Sequence, residues 1–434
     1  MSSIRTWKRL GLFALLGVLL SWVMSCNSPP PASSPEIEFW TMQLQPQFTE
    51  YFNKLIATFE SENPNVKVRW VDVPWSDMES KILTAVSAKT APDVVNLNPN
   101  FASQLASRNA WLDLDPKISQ SDQQQYLPKI WKASTLNLCR DVTCNVSTFG
   151  IPWYLTTRVT IYNQDLLKKA GISKPPATYT ELAEVAQQVK DKTGKYAFFV
   201  TFVPEDSGEV LESFVQMGVE LVDQQGKAAF NSPDGIAAFQ YWVDLYKKGL
   251  LPREVLTQGH RNAIELYQAG ETALLASGAE FLKTIETNAP DIAKVSAAAP
   301  QITGKTGKKN VAVMNLVIPR DTEKPDEALK FALFVTNTQN QLAFAKAANV
   351  LPSTVEAVKH YKTELANVKD AAPVEQARTI SATQLPDAEV LVPAMKDLNK
   401  LQKAIYENLQ AAMLNEKTVE KAVADAAEEW NSSR

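Results

Sequence analysis

The stretch that most constrains this chain is Gly150 to Asn163, GIPWYLTTRVTIYN. Aromatic Trp153 and Tyr154 stand at its front, Thr156 and Thr157 sit in the middle, and Val159, Ile161 and Tyr162 make an apolar end. It reads as extended backbone leaving one body of the protein and entering another. A strand of this kind crosses the floor of a cleft, where aromatic and hydroxyl side chains can face a ligand instead of a core. A chain of 434 residues supports the division, because single cores stop growing at about 250 to 300 residues. With 45% hydrophobic and 21% charged residues it can fill two cores and falls outside the disordered, coiled-coil and multi-span membrane classes.

The pattern along the chain is α/β. Ile37 to Trp40 reads as a strand, after which Phe48, Tyr51, Phe52, Leu55, Ile56 and Phe59 recur every three or four residues, one face of a helix stopped by Asn63-Pro64. Val66 to Val73 and Asp93 to Leu97 are strands on either side of a helix over 76–89. That order implies a parallel sheet covered by helices. Beyond Asn163 the alternation restarts, with a helix over 178–192 opened by a Thr178/Glu181 capping box, an apolar strand from Tyr196 to Val203 and a helix opened by Ser232-Pro233. A strand over 311–318 and helices over 325–337 and 339–347 follow. A Ser353/Glu356 capping box then opens a helical end, notably 389–415 and 418–430.

At the N-terminus Arg5, Lys8 and Arg9 precede an apolar run from Leu10 to Met24, too short for a comfortable membrane span and of the form of an export signal over residues 1–25. Its end, Val23-Met24-Ser25-Cys26, resembles the lipobox of bacterial lipoproteins, in which the cysteine, here Cys26, becomes a lipid-modified N-terminus. Residues 26–35, rich in Pro and Ser, then form a flexible tether. The expected location is periplasmic or cell-surface, anchored to the membrane by lipid. Removing residues 1–25 takes away three basic residues and no acid, moving the net charge from -4 to -7 (-4 minus 3). That balance argues against nucleic acid as a partner. In an oxidising, exported setting Cys139 and Cys144 are expected to close a small disulfide loop, worth only about 2 kcal/mol.

Catalytic and metal signatures are sparse. The two histidines, His260 and His360, lie far from each other and from the cysteines, so both are expected on the surface and neither metal nor cofactor is expected. No G-x-S-x-G elbow occurs, and Gly304-Lys305-Thr306 fails as a phosphate loop because Ala299 stands where its first glycine belongs. Paired carboxylates for sugar hydrolysis remain open, since their separation is spatial and not sequential.

A binding site is easier to argue. Trp40 ends the first strand and precedes the polar segment 41–47; Asn96, Asn98 and Asn100 follow the third strand. In open sheets ligands gather beyond the carboxyl ends of strands, where these residues would lie. Trp75, Trp153 and Tyr154 add flat apolar faces, and aromatic rings together with Asn, Gln and Thr suit the C–H faces and hydroxyls of a polyol.

In order and spacing, the segments IEFWT, APDVVNLNP, IPWYLTTRVTIYNQDLLKKAGISKPPATYTELAEVA, FNSPDGIAAFQYWVDLYKKGLLP, LYQAGETALLASGAEFL, VMNLVIPRDTEKPDEALKFALFV and LPS resemble the family 1 extracellular solute-binding proteins, the maltose-binding-like receptors of bacterial ABC importers. The similarity covers Glu36 to Trp430. It implies a two-lobe periplasmic-binding-protein fold of type II with discontinuous lobes, 36–152 plus 297–350 and 153–296 plus 351–434, joined by hinge crossings around a central cleft. The implied activity is binding, without catalysis, of a carbohydrate, either a sugar or a glycosyl-polyol, for delivery to the transmembrane permease subunits of the importer. A monomer is expected. Ligand positions carried over by motif are Thr41, Gln43 and Gln47; Leu97, Asn98 and Asn100; Trp153, Tyr154 and Thr156; Glu205 and Asp206; Ser277, Gly278, Ala279 and Glu280; and Asn315, beside Trp40 and Trp75 from the residue reading. Family members often carry a tryptophan near the Ser-Gly turn, where this chain has Glu280 and Phe281, which argues for a smaller or more polar ligand. The rival reading is a secreted glycan-acting hydrolase using cleft carboxylates such as Glu205 or Glu280.

Overall fold

The computed structural model describes residues 35–137, 146–204, 206–369, 371–392, 395 and 397–433. The expected export signal with Cys26, the Cys139 and Cys144 pair, Glu205 and the side chain of Asn100 lie outside them.

Strands β1 (Glu36–Met42), β2 (Lys67–Val73) and β3 (Val94–Leu97) alternate with helices Thr49–Glu62 and Trp75–Ser87, as the periodicity implies. A short ladder of β4 (Thr135–Asn137) and β5 (Val146–Thr148) precedes β6 (Ile151–Thr157) and β7 (Val159–Asn163). Then come β8 (Leu274–Ser277), β9 (Ser296–Pro300), β10 (Lys309–Val317), β11 (Leu351–Pro352) and β12 (Ala388–Glu389). The larger sheet runs β11-β6-β10-β3-β1-β2, with β12 paired to β10. It is a mixed sheet in which the first three strands have the parallel arrangement expected of them. β1 lies parallel to β2 and β3, but β10 is antiparallel to β3 and β6, and β11 to β6. The helical crossover that fixes parallel direction is missing at β10, which arrives from the other lobe. The smaller sheet, β8-β7-β9, is wholly antiparallel.

Apolar packing forms two clusters. One contains Phe39, Phe52, Trp153, Leu155, Phe331 and Phe344; the other contains Val159, Ile161, Phe202, Trp242, Tyr406 and Trp430. The chain therefore changes lobe between Leu155 and Val159, past the expected 152/153, because Trp153 to Leu155 belong to a strand paired with β10. Tyr361 and Leu365 also pack in the first cluster, so helix Val355–Ala366 belongs to lobe 1 and the change expected at 350/351 comes later.

Three local expectations differ as well. Tyr196 to Val203 is buried along Ala197 to Phe202 but makes no regular strand, only an isolated bridge from Tyr196 to Thr272. Ser353 caps no helix: it is fully buried and donates its hydroxyl to the Pro152 carbonyl at 2.7 Å, and Thr354 precedes the helix without a side-chain cap. Glu389 lies in β12, and the long helix starts only at Leu398.

Buried amides tie the crossings together. Gln384 donates to the Arg158 carbonyl at 3.2 Å and accepts from the Gln301 backbone N–H at 2.8 Å, while Gln301 accepts from the Asn310 N–H at 2.7 Å. Each buried polar group is satisfied by a neighbouring crossing, which holds three chain passages at one place.

Candidate functional site

Between the lobes lies a cavity of about 680 Å³, within the range of pockets that enclose a small molecule, ~300–1,000 Å³. Its lobe 1 wall begins at the end of β1. There Asp72 on β2 accepts from the Leu44 and Gln45 backbone N–H groups, both at 2.9 Å, and from the Thr41 hydroxyl at 2.6 Å. One carboxylate thus fixes the loop that brings Gln43, Gln47 and Phe48 to the cavity, where Trp75 stands 44% exposed.

Strand parity decides which residues of the crossing face the cavity. Successive side chains of a strand point to opposite faces. Tyr154 and Thr156 line the cavity, while Trp153 points the other way into the core, 0% exposed and stacked on Phe344 at 4.8 Å and 22°. The same rule separates Met314, which lines the cavity opposite Tyr154 in the β10 ladder, from buried Asn315. Phe344 reaches the cavity with one edge of the aromatic stack it shares with Trp153, Tyr154 and Phe48. Asn349 adds an amide, held by the left-handed backbone (φ 57°) that ends helix Thr338–Ala348.

The lobe 2 wall is one helix, Phe281–Asn288. Leu282 and Ile285 are buried in the lobe 2 core, which leaves Glu280, Thr284, Thr287 and Asn288 on the cavity side at helical spacing. Among the described residues, the side chains of Gln47, Tyr154, Thr156, Thr284, Asn288 and Asn349 have no hydrogen-bond partner, so their donors and acceptors are free for a ligand. Lys283 is already paired with Glu286 at 2.7 Å.

Half-buried Glu280 has its carboxyl pushed up to about 7 by burial, against the lowering effects of its own backbone N–H and Arg158. Its carboxylate folds back over Gly278, where a Cβ would collide with it. Burial also raises the Tyr154 hydroxyl, with the Glu280 charge adding to it.

The other expected site residues lie elsewhere. Trp40 is 7% exposed, donates to Glu38 at 2.6 Å and carries Lys81 over its ring. Thr41 is spent on Asp72 and on the Trp70 indole, and Asn98 caps helix Pro99–Ala106 by accepting from the Phe101 N–H. Asn315 accepts from the Ser134 hydroxyl at 2.6 Å inside lobe 1. Ser277 is buried, and Gly278 supports Glu280 without lining the cavity. His260, expected on the surface, is half-buried at a helix start, where its N–H donates to Asp206 at 2.6 Å. Arg158 turns into lobe 2 and pairs with Glu212 at 2.9 Å; burial works against its charge, but Glu212 and Glu209 outweigh that and raise its pKa. The space beside it, about 50 Å³, suits a few waters and not a sugar.

Residues 45–342 match the family described as bacterial extracellular solute-binding protein. The chain belongs to this family. A crystal structure of a provisionally assigned oligosaccharide periplasmic-binding protein from Synechococcus sp. MITs9220, in complex with zinc, is 47% identical, with a TM-score of 0.86 over 92% of this chain and 98% of that one. A solute-binding protein from Thermotoga lettingae TMO bound with alpha-D-tagatose shares the fold at 23% identity and a TM-score of 0.76, over 92% and 99% of the two chains. The diacetylchitobiose binding protein DasA of Streptomyces coelicolor is 24% identical over 387 residues, 86% of this chain and 83% of its own. Family members are binding proteins of ABC transporters and not enzymes. Among the described residues no group of three or more His, Cys, Asp or Glu could hold a metal ion, and no helix is long and apolar enough to cross a membrane.

The residues that sequence reasoning missed are Phe48, Phe281, Phe344, Asn349, Thr284, Thr287 and Asn288. A signal existed for the last three. The stripe Glu280, Thr284, Thr287, Asn288 is polar with a single charge, which is unusual for a helix face left simply to water.

Proposed function

We propose that this chain binds a carbohydrate, an oligosaccharide or glycosyl-polyol, in the interlobe cavity and presents it to the transmembrane subunits of an ABC permease. The observation that carries the reading is the pairing of walls: aromatic edges from Phe48, Trp75, Tyr154 and Phe344 on one side, the free hydroxyl of Thr284 and the free amide of Asn288 on the other. A sugar ring offers apolar C–H faces to the first and hydroxyls to the second. The relatives described as binding diacetylchitobiose and alpha-D-tagatose support the ligand class. A ligand spanning both walls favours closure, since only the closed form satisfies both sets of contacts, and the amide cluster at Gln384 is the place where the crossings would bend. Anchoring through lipid on Cys26, export by residues 1–25, a disulfide between Cys139 and Cys144 and a monomeric state complete the proposal. The glycan-hydrolase reading needs a pair of carboxylates, and Glu280 is the only one lining the cavity among the described residues.

Thermal shift against mono- to tetrasaccharides and glycosyl-polyols tests the reading. A ligand at 100 times its dissociation constant should add about 2.7 kcal/mol of stability. No shift with any carbohydrate, together with a shift from an amino acid or polyamine, would sink it.

A further inference from the structure

The strand that carries Tyr154 into the cavity is irregular at the residue before it. In the ladder of β6 with β10, Tyr154 pairs with Met314 but Pro152 pairs with Asn315, so Trp153 is an extra residue with no partner opposite it in that ladder. Such a bulge bends its strand, raises the local twist and re-aims the side chains beside it, and an interior strand accepts proline at a break of this kind. On the other side of β6, β11 pairs Leu351 with Leu155 and Pro352 with Tyr154, and ends there. The next rung would set Ser353 against the bulged Trp153. The backbone just before Tyr154 is therefore left without regular ladder pairing on both sides.

One buried amide stands in for the missing rungs. Gln341, 1% exposed on helix Thr338–Ala348, accepts from the Ser353 backbone N–H at 2.5 Å and from the Thr354 N–H at 3.3 Å. It donates to the Ser353 hydroxyl at 2.9 Å and to the Thr336 carbonyl at 2.8 Å. That hydroxyl in turn donates to the Pro152 carbonyl at 2.7 Å. Both N–H groups and both lone pairs of the amide are thus used inside lobe 1, and Gln341 does not line the cavity. The elements it joins do. Phe344 lies one turn further along the same helix face, Asn349 ends that helix, and Tyr154 stands two residues beyond Pro152. From this network, and resting on the carbohydrate reading above, we infer that Gln341 is a positioning residue for ligand binding. It holds the β6 bulge against the helix that bears Phe344 and Asn349, and so fixes where the Tyr154 ring and hydroxyl meet the ligand. Without the amide the buried N–H groups of Ser353 and Thr354 lose their acceptor, and pairing them again requires the segment that aims Tyr154 to shift.

The test is calorimetric titration with the tightest carbohydrate from the thermal-shift panel. It compares the parent, Gln341→Met, and Gln341→Met combined with Tyr154→Phe or with Thr284→Ala, each checked by an unfolding curve. A merely structural glutamine lowers the melting temperature and leaves the Kd of the folded molecule unchanged. A positioning one also weakens binding, by about threefold or more, the order of one misplaced hydrogen bond. Combined with Tyr154→Phe the loss should fall about 2.5-fold or more short of the product of the single losses, because both changes act on one contact. Combined with Thr284→Ala, on the opposite wall, it should match the product within about twofold. Should Gln341→Met not fold, Ser353→Ala, which deletes the hydroxyl link between the amide and Pro152, carries the same cycle with the same expectation. An unchanged Kd, or losses that multiply with Tyr154→Phe as they do with Thr284→Ala, overturns the inference and leaves the carbohydrate reading in place. Absence of carbohydrate binding by the parent overturns both.

Discussion

The two walls of the cavity are made differently. The lobe 1 wall is the exposed edge of a core: Tyr154 is only 9% exposed, and Phe344 stacks on fully buried Trp153 at 4.8 Å. The lobe 2 wall is the outer face of a single helix, whose Thr284, Thr287 and Asn288 are exposed. An aromatic wall continuous with a core is held rigid before any ligand arrives, whereas a polar wall on a helix surface can be varied without disturbing the fold. Shape is therefore set by lobe 1 and hydrogen-bonding pattern by lobe 2.

The largest expected effect breaks the wall that belongs to a core. Trp153→Ala should cost about 3–5 kcal/mol in denaturant unfolding, whereas Thr284→Ala should stay within about 0.5 kcal/mol of the parent. Equal losses for the two would erase the distinction.

How far this contrast could be read in the sequence differs between the walls. Helix periodicity found Thr49–Glu62 and the Thr178 cap, whose side chain accepts from the Glu181 N–H, because local bonds and one buried stripe determine such elements. Strand faces were harder. Trp153 and Tyr154 are neighbours and both aromatic, and only pairing with β10 and β11 shows which of the two faces outward. The alternation rule already forbade both from facing one cleft. Trp40 and Asn315 stand at strand positions where a ligand platform and a core residue carry the same signal. Phe344 was illegible for another reason: it lies on a helix whose apolar residues read as core, and its ring is buried in that core while also lining the cavity. The lobe boundary likewise depends on which sheet β6 joins, a long-range pairing that local pattern does not encode.

A smaller effect sharpens the comparison from the lobe 2 side. The Glu280 carboxyl rises from 4.5 to about 7 on folding, so between those pH values the folded chain keeps a proton that the unfolded chain has released. Stability contributed by this group is complete below pH 4.5 and is lost as the pH rises to about 7. Melting temperatures measured across that window should fall less steeply for Glu280→Gln than for the parent. Identical slopes would mean that the Glu280 carboxyl is as well solvated in the folded chain as in the unfolded one.

Calorimetric titration of the parent, Tyr154→Phe and Thr284→Ala with the tightest carbohydrate from the thermal-shift panel tests the two-wall cavity most directly. Each variant removes one free hydroxyl from one wall, a loss worth about 0.5–1.5 kcal/mol of a made hydrogen bond. Saturable single-site binding by the parent, weakened about 2- to 12-fold by each change with unfolding curves unaltered, is the expected result. Binding that neither variant weakens would place the ligand somewhere other than between these walls.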